Sequence, residues 1–452
     1  MPQRCLFPPR DARISPIRGT LNTIIRKGGP PRDPPPLLAD YAAQRASFSW
    51  EAVAQGLGVP LAGPLNLGEL ACTRGGTLVW HGAHGEEERY PAAELAARSG
   101  RFANALKSLG IAPGDRVALL FRAIPQLAFA FLGALRAGAV PCIMGRVRNA
   151  TAIKSLLERT GARVAVIEAD ARPFVGPLRG SLPELKHLIL LQSPEAGPDE
   201  LRWEDVVDKA ELSFAGVPLA PDAPAYLQYS DLGLNGAVAG HRAAFALASS
   251  ASLALDLRPG EGLVTLSVPG DTLFVPYLLL APLLLGATTF LFEDPARFPF
   301  FGKFKDPVHV WYSPVRAIDV VIRTDPGLAA LLSSCRHIAV SHPYDAPFVA
   351  MTQLSWGSPL HPTWFPREMG AIQCAEFRSS DLQLDSVGRP LPGVELALEP
   401  GTDLLMLRQG PSSPFTGYWG DTELTGRRIR DGWFVSDQRG RIERDGYAWL
   451  VS

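Results

Sequence analysis

The residues most suited to chemistry lie in a glycine-rich stretch, LQYSDLGLNGAVAGH, at 227–241. It follows an apolar strand-like run and precedes a helix-like one. Backbone amides at such a place can bind phosphate, which predicts a phosphate loop. No lysine occurs between Lys209 and Lys303, however, and Asp231 adds a negative charge facing any bound phosphate. The stretch is therefore either an altered phosphate loop or a structural turn.

The elements around this loop alternate between helix-like and strand-like segments from residue 91 onward. DRVALLF (115–121) is typical of a buried strand, and PQLAFAFLGALRAG (125–138) of a helix that stops at glycine. Such alternation predicts parallel strands joined by right-handed helical crossovers. After Cys374 the pattern changes to short strands with tight turns.

This organisation predicts an α/β chain with two parallel-sheet subdomains and a small β-rich one. The predicted units are a Pro/Arg-rich flexible lead-in at 1–45, a first α/β subdomain at 46–220, a second at 221–375 that carries the loop, and a β-rich subdomain at 376–452.

One segment has the length of a membrane span. Residues 272–292 carry no charge over 21 positions, enough to cross a bilayer. Pro276, Pro282 and Gly286 interrupt the segment, and it ends in a β-branched, aromatic run. A core helix followed by a core strand is therefore predicted.

Composition and motif spacing argue against several other classes of protein, including nucleic-acid-binding and dinucleotide-binding proteins. The net charge of −1 gives no general reason to expect nucleic acid or an anionic membrane as a partner. Five scattered cysteines without a C-x-x-C motif favour reduced thiols and a cytoplasmic location. The glycines of the loop lack the G-x-G-x-x-G spacing of dinucleotide-binding folds. Neither a G-x-S-x-G motif nor clustered zinc ligands occur.

Several blocks of the sequence, in order, resemble the AMP-forming acyl-CoA synthetases, and the acetyl-CoA synthetases most of all. The resemblance runs from about residue 66 to the last residue. Its blocks are RYPAAELAARSGRFANALKSLGIAPGDRVALLFRAIPQLAFAFLGALRAGAVPCI, PLLLGATTFLFEDP, VWYSPVRAI, PTWFPREMGAI and DGWFVSDQRGRIERDGYAWLVS.

The resemblance implies both a fold and a reaction. Members of the family use ATP and Mg²⁺ to turn a carboxylic acid into an acyl-adenylate, and then transfer the acyl group to coenzyme A. The fold implied is the large N-terminal domain of these enzymes. The sequence ends at Ser452, before the family's hinge arginine, so we expect the C-terminal domain to be absent.

In the family the phosphate loop reads roughly Y-T-S-G-S-T-G-K-P-K-G. Here both lysines and most hydroxyl donors are missing, and Arg242, beyond the loop, is a partial substitute at best. Loss of one preorganised donor typically costs on the order of 3 kcal/mol of transition-state stabilisation. The loop positions that could still contact a nucleotide are Ser230, Asp231, Gly233, Asn235 and Gly236.

The acid motif is better preserved. The resemblance places Glu368 at the family's catalytic, magnesium-associated glutamate, with Gly370 at the expected spacing. Trp364 matches the first aromatic residue of a nucleotide-binding pair, and Phe365 matches the second, which limits the acyl pocket to very short chains. Asp437 keeps the position whose carboxylate accepts both ribose hydroxyls.

The same residues have plainer interpretations. The two aromatic residues could belong to the core, and Asp437 could be an exposed turn residue. Glu368 could be a solvated carboxylate or form a salt bridge with Arg367. His342, in the segment that replaces the family's adenine motif, is typical of a loop histidine.

Two functions remain open. The one favoured is a degenerate acyl-CoA synthetase-like protein that has weakened or lost adenylation and acts as a ligand-binding or regulatory module. Its ligand would be a small carboxylic acid or an acyl-adenylate-like molecule, with ATP or AMP and Mg²⁺ implied only by the resemblance. The alternative is an active ATP-dependent acyl- or acetyl-CoA ligase, with coenzyme A as co-substrate.

Overall fold

The computed structural model describes residues 24–25, 33–229, 236–296, 298, 305–324, 327–342, 359–383 and 385–451. Most of the predicted lead-in, and the loop residues Ser230, Asp231, Gly233 and Asn235, lie outside the described residues.

The first sheet has eight strands, of which six run parallel. Most of their apolar residues are buried, as expected for strands covered by helices on both faces. In spatial order the strands are Phe415–Tyr418, Ala237–Gly240, Pro224–Gln228, Val140–Ile143, Arg116–Leu120, Val164–Glu168, His187–Leu191 and Glu200–Arg202.

The second sheet is larger and mixed. Six neighbouring strands, from Leu360–Trp364 to Thr77–His81, run parallel, and the β-rich region continues the sheet with antiparallel strands. In spatial order the strands are Leu396–Leu398, Leu404–Arg408, Trp433–Ile442, Ala448–Val451, Ser386–Pro390, Cys374–Ala375, Leu360–Trp364, His337–Ser341, Val310–Pro314, Gly262–Val264, Thr288–Phe292, Thr77–His81 and Glu87–Pro91, with Ile429–Arg430 beside Trp433–Ile442.

Helices connect the parallel strands and cover both sheets. The helix Pro125–Arg136 begins with proline at its first position and is followed by Gly138 at φ +76°, which explains its sharp boundaries. The α-helices are Tyr41–Ser47, Trp50–Gly56, Leu67–Thr73, Ala92–Ser108, Pro125–Arg136, Ala150–Thr160, Arg172–Val175, Trp203–Val206, Ala243–Leu253, Ala281–Leu284, Val315–Thr324, Leu328–Ser334 and Thr422–Arg428. Two short 3₁₀ helices are Ala169–Ala171 and Gly176–Ser181.

The uncharged segment at 272–292 is part of the core. It forms a π-helix at Phe274–Leu280, the short α-helix Ala281–Leu284 and the strand Thr288–Phe292. Almost all of its side chains are buried, and the strand lies inside the second sheet. Within the described part of the chain, no helix is both long and apolar enough to span a membrane. The predicted core helix and core strand are confirmed.

The mixed α/β fold with parallel sheets is also confirmed, but the sheets exchange strands across the predicted boundaries. Thr77–His81 and Glu87–Pro91, assigned to the first unit, extend the second sheet. Pro224–Gln228 and Ala237–Gly240, assigned to the second unit, belong to the first sheet, as does Phe415–Tyr418 from the β-rich region. Alternation along the chain cannot reveal such exchange, and the domain division stays a prediction.

Part of the lead-in is held against the folded chain. The Leu37 amide donates to Asp256 Oδ1 at 2.8 Å, and Arg378 Nη1 donates to the Pro34 carbonyl at 2.7 Å. A third contact comes from Tyr41 Oη, which donates to a carbonyl of the β-rich region. The described portion of the lead-in is therefore anchored at several points rather than free.

Candidate functional site

The acid motif begins at the end of a central strand of the second sheet. Trp364 is the last residue of Leu360–Trp364 and is 1% exposed, so its ring belongs to the core. Its Nε1 donates to Gln438 Oε1 at 2.7 Å. This hydrogen bond holds the strand that carries Asp437 beside the acid motif. Asp437 itself is exposed, so its carboxylate is open to solvent or to a ligand.

Glu368 lies on the loop after that strand and accepts a hydrogen bond from Tyr418, a residue that the sequence alone did not indicate. Tyr418 Oη donates to Glu368 Oε1 at 2.8 Å. Burial raises the pKa of Tyr418 well above its usual value, and the charges of Glu368 and Asp437 raise it further. The structure therefore brings both candidate carboxylates within electrostatic reach of one neutral phenol. Nothing in the sequence around Tyr418 links it to a residue 50 positions away.

Phe365 is half-buried against a group of tyrosines. Its ring centroid lies 6.3 Å from that of Tyr277, a residue of the π-helix. The hydroxyl of Tyr277 accepts the Ile372 amide at 2.6 Å and bonds with Ser250 Oγ at 2.8 Å. Tyr277 also packs edge-on against Tyr312. This aromatic wall is compatible with the predicted pocket floor, and the role of Phe365 in limiting chain length stays a proposal.

Gly370 suits its position, because its φ of +63° lies in the left-handed region that most side chains disfavour. The point where a Cβ would stand is 3.6 Å from both Gln228 Oε1 and Tyr226 Oη. These two residues lie on the strand Pro224–Gln228, which leads into the glycine-rich loop. The acid motif and the approach to that loop are thus in direct proximity.

Gly236 is the described end of the loop. A Cβ at this residue would lie 2.5 Å from the ring of Tyr229, so only glycine fits. The carbonyl of Gly236 accepts the Trp419 amide at 2.8 Å. This tight packing accounts for glycine at the described end of the loop.

Arg242 is not placed to act as a substitute phosphate donor. Its Nε, Nη1 and Nη2 atoms all donate to protein oxygens at 2.6–3.4 Å. The acceptors are Ser413 O, Asp222 Oδ1, Gln409 Oε1 and Phe415 O. The guanidinium therefore links the start of the helix Ala243–Leu253 to the segment 409–415. The suggestion that Arg242 partly replaces the missing loop lysines is wrong.

The candidate carboxylates could hold Mg²⁺ only together with substrate phosphates and water. In the described part of the chain, no three or more His, Cys, Asp or Glu side chains are grouped so as to hold a metal. Mg²⁺ is commonly held by one or two carboxylates together with substrate phosphates and water. Glu368 accepts one hydrogen bond of about four that a carboxylate can accept, so it retains capacity for a cation. Coordination by Glu368 stays a proposal.

His342 is held next to the acid-motif strand, since its amide donates to Thr363 O at 3.1 Å. Burial lowers the pKa of its imidazole to about 4. The ring is therefore neutral near pH 7, which agrees with its interpretation as a loop histidine and gives no sign of a cationic donor.

His241 predicts acid-sensitive stability. It is fully buried directly after the strand Ala237–Gly240, its Nδ1 accepts the Leu67 amide, and burial lowers its pKa to about 4. The unfolded chain takes up this proton near pH 6.5, so stability falls as pH drops from 6.5 to 4. The loss attributable to His241 is about 3 kcal/mol.

Urea unfolding at pH 7 and pH 4 measures this effect. His241→Asn keeps an acceptor near Nδ1 without a titrating ring, so its acid-side loss is expected to be about 3 kcal/mol smaller than that of the unsubstituted chain. His84→Asn makes the same substitution at an exposed histidine and is measured alongside as the control. An identical pH dependence in His241→Asn would contradict the assignment.

The parallel sheets, the glycine-rich loop and the adjacent acid motif define an adenylate-forming acyl-CoA synthetase fold. Residues 73–404 match the model of the AMP-binding enzyme family, and the chain belongs to that family. The sequence prediction of the family is thereby confirmed.

Three comparisons illustrate the relationship. The chain is 26% identical over 387 residues to acetyl-coenzyme A synthetase of Bacillus subtilis (strain 168), covering 80% of this chain and 67% of that protein. It is 24% identical over 378 residues to a 3-hydroxybenzoate/4-hydroxybenzoate–CoA ligase of Thauera aromatica, covering 78% and 70%. An acyl-CoA synthetase structure from Brucella canis superposes with a TM-score of 0.82 at 20% identity, covering 92% of this chain and 80% of that one. The chain thus spans about two thirds of the length of these sequence relatives.

Proposed function

We propose that this chain is a ligand-binding member of the family in which adenylation is weakened or lost. Its ligand would be a small carboxylic acid or an acyl-adenylate-like molecule bound at the acid motif. The observation that carries the proposal is the glycine-rich loop, which has no lysine and continues into a buried, apolar strand.

The strand after the loop supports this proposal. Val238 is 6% exposed and pairs with Leu227 on one side and Gly417 on the other. A side chain held in this way contributes to packing and offers no charge to a phosphate. Arg242, the first cation after the loop, is engaged elsewhere. With several donors missing at about 3 kcal/mol each, efficient stabilisation of a pyrophosphate leaving group is not expected.

Two of the retained groups would hold an adenylate. Asp437 would accept the ribose hydroxyls, and its exposed carboxylate leaves it accessible to a ligand. Phe365 would face the acyl group beside Tyr277. Such a module would need neither coenzyme A nor a protein partner for binding. A cytoplasmic location stays a prediction, supported by Cys72, Cys142 and Cys374, which are buried and form no disulfide within the described part of the chain.

An active ligase is the second candidate, and one observation favours it. The hydrogen bond from Trp364 Nε1 to Gln438 Oε1, at 2.7 Å, places the strand that carries Asp437 beside the acid motif that carries Glu368. An active ligase would use ATP, Mg²⁺ and coenzyme A with a short carboxylic acid.

Calorimetry separates the two candidates. The probes are ATP with Mg²⁺ and acetyl-sulfamoyl-adenosine, a stable analogue of an acyl-adenylate. We expect binding of the analogue, no micromolar binding of ATP with Mg²⁺, and no acetate-dependent exchange of pyrophosphate into ATP. Micromolar ATP binding together with exchange would establish the active ligase instead.

A variant tests the binding site itself. Asp437→Asn removes the charged acceptor for the ribose and is expected to weaken analogue binding about 10- to 100-fold, as for loss of hydrogen bonds to a charged group. Asp431→Asn is the control, because Asp431 is exposed in the preceding turn and its φ of +50° suits asparagine. Absence of analogue binding by the unsubstituted chain would overturn the proposed function.

A further inference from the structure

Tyr418 joins the two sheets at the candidate site. It is the last residue of the strand Phe415–Tyr418 at the edge of the first sheet, whereas Glu368 lies on a loop of the second sheet. The hydrogen bond from Tyr418 Oη to Glu368 Oε1, at 2.8 Å, spans this junction. We infer that Tyr418 is a positioning residue that orients the Glu368 carboxylate for a divalent cation. The inference deepens the proposed function and rests on it for the location of the site.

The backbone around Tyr418 is fixed by contacts unrelated to Glu368. The Tyr418 amide donates to Thr425 Oγ1 at 2.9 Å, and Tyr418 pairs with Ala237 of the neighbouring strand. The next residue, Trp419, donates its amide to the carbonyl of Gly236 at 2.8 Å. The phenol is therefore held by the first sheet, at the described end of the glycine-rich loop.

Glu368 has fewer fixed contacts of its own. It is half-buried on the loop between the strands Leu360–Trp364 and Cys374–Ala375. A carboxylate on such a loop can rotate about its side-chain bonds, and ordering it costs entropy whenever a ligand binds. The charge-assisted hydrogen bond from Tyr418 restricts that rotation before a cation arrives.

The strength of the expected effect follows from other metal sites. A carboxylate ligand is usually hydrogen-bonded by an outer partner, and loss of that partner typically costs 10- to 100-fold in metal affinity. One phenol hydrogen bond uses one of about four acceptor positions on Glu368, so orientation and metal binding are compatible.

The experiment measures Mn²⁺ binding by electron paramagnetic resonance, with AMP present and without it. Tyr418→Phe removes only the hydroxyl and is expected to lower Mn²⁺ affinity about 10- to 100-fold. Glu368→Gln is expected to lower it at least as much. In the Glu368→Gln background, Tyr418→Phe is expected to change the affinity less than about twofold, because both substitutions act through one carboxylate.

Two measurements distinguish a positioning role of Tyr418 from a general disruption of the structure. Affinity for acetyl-sulfamoyl-adenosine in EDTA is expected to be unchanged in Tyr418→Phe, since that ligand needs no metal. Tyr41→Phe is the matched control, because it also deletes a phenol hydrogen bond, to Pro390 O at 2.9 Å, and is expected to leave Mn²⁺ binding unchanged.

The outcomes are distinguishable from those of the proposed function. Absence of Mn²⁺ binding by the unsubstituted chain, an unchanged Mn²⁺ affinity in Tyr418→Phe, or an equal loss of analogue affinity in EDTA would each overturn the positioning role. Binding of the analogue by the unsubstituted chain would leave the proposed function standing in every one of these cases.

Discussion

Replacing Asp256 with alanine is expected to lower the free energy of unfolding by about 3–5 kcal/mol. Asp256 is 3% exposed and accepts from Arg336 Nε at 3.2 Å, Arg378 Nη1 at 2.7 Å and Arg258 Nη1 at 3.3 Å. The side chains of Arg336 and Arg378 are themselves less than a tenth exposed. Removal of the shared carboxylate leaves buried positive charges without this partner, which is the costly way to break a buried ion pair.

Urea unfolding at pH 7 measures the change. The control is Glu423→Ala, which breaks an exposed pair with Arg427 four residues away and is expected to change stability by less than about 0.5 kcal/mol. Asp256→Asn keeps the shape of the side chain and is expected to fall between the two. A loss below about 1 kcal/mol in Asp256→Ala would show that the arginines are satisfied by their other partners.

The same residue shows what the sequence could not predict about the lead-in. Leu37 and Asp256 are 219 positions apart, and no local pattern pairs them. The proline-rich composition predicted a flexible segment, because proline lacks a backbone N–H and disrupts helices and sheets. The described part of the lead-in is instead held by carbonyl and amide contacts to distant residues, which depend on the completed fold.

The core elements were predictable because their signals are local. Arg116–Leu120 and Pro125–Arg136 lie within a residue or two of the expected positions, since apolar runs and glycine stops act over a few residues. Sheet membership was not predictable in the same way. Whether Thr77–His81 pairs in the first or second sheet depends on which edge is available after the other strands have assembled.

At the candidate site, too, some residues could be predicted from the sequence and others could not. The resemblance located Glu368 and Asp437, because their blocks keep the order of the family. It did not locate Tyr418 or Gln438, whose partners lie 50 and 74 positions away on other segments. The resemblance therefore supplied the acidic groups as candidates, while the hydrogen bonds around them required the packed structure.

Replacing Val238 with lysine is the second substitution with a large expected effect. If the loop were an intact phosphate site that only lacked its lysine, Val238→Lys would restore nucleotide affinity. The structure predicts a different result, because Val238 is 6% exposed in an apolar cluster with Val140, Cys142 and Leu227. Burial of an ammonium there, together with the lost apolar contacts, is expected to lower the free energy of unfolding by about 3–5 kcal/mol.

Val451→Lys is the matched control for this prediction. Val451 also lies on a strand but is 51% exposed, so the same substitution there is expected to change stability by less than about 0.5 kcal/mol. Urea unfolding and calorimetry with ATP and Mg²⁺ are measured on both variants. A Val238→Lys chain of unchanged stability that gains micromolar ATP affinity would show that the long lysine stem reaches the loop. The loop would then be a phosphate site that lacks only a lysine. The proposal of lost adenylation would lose its main support.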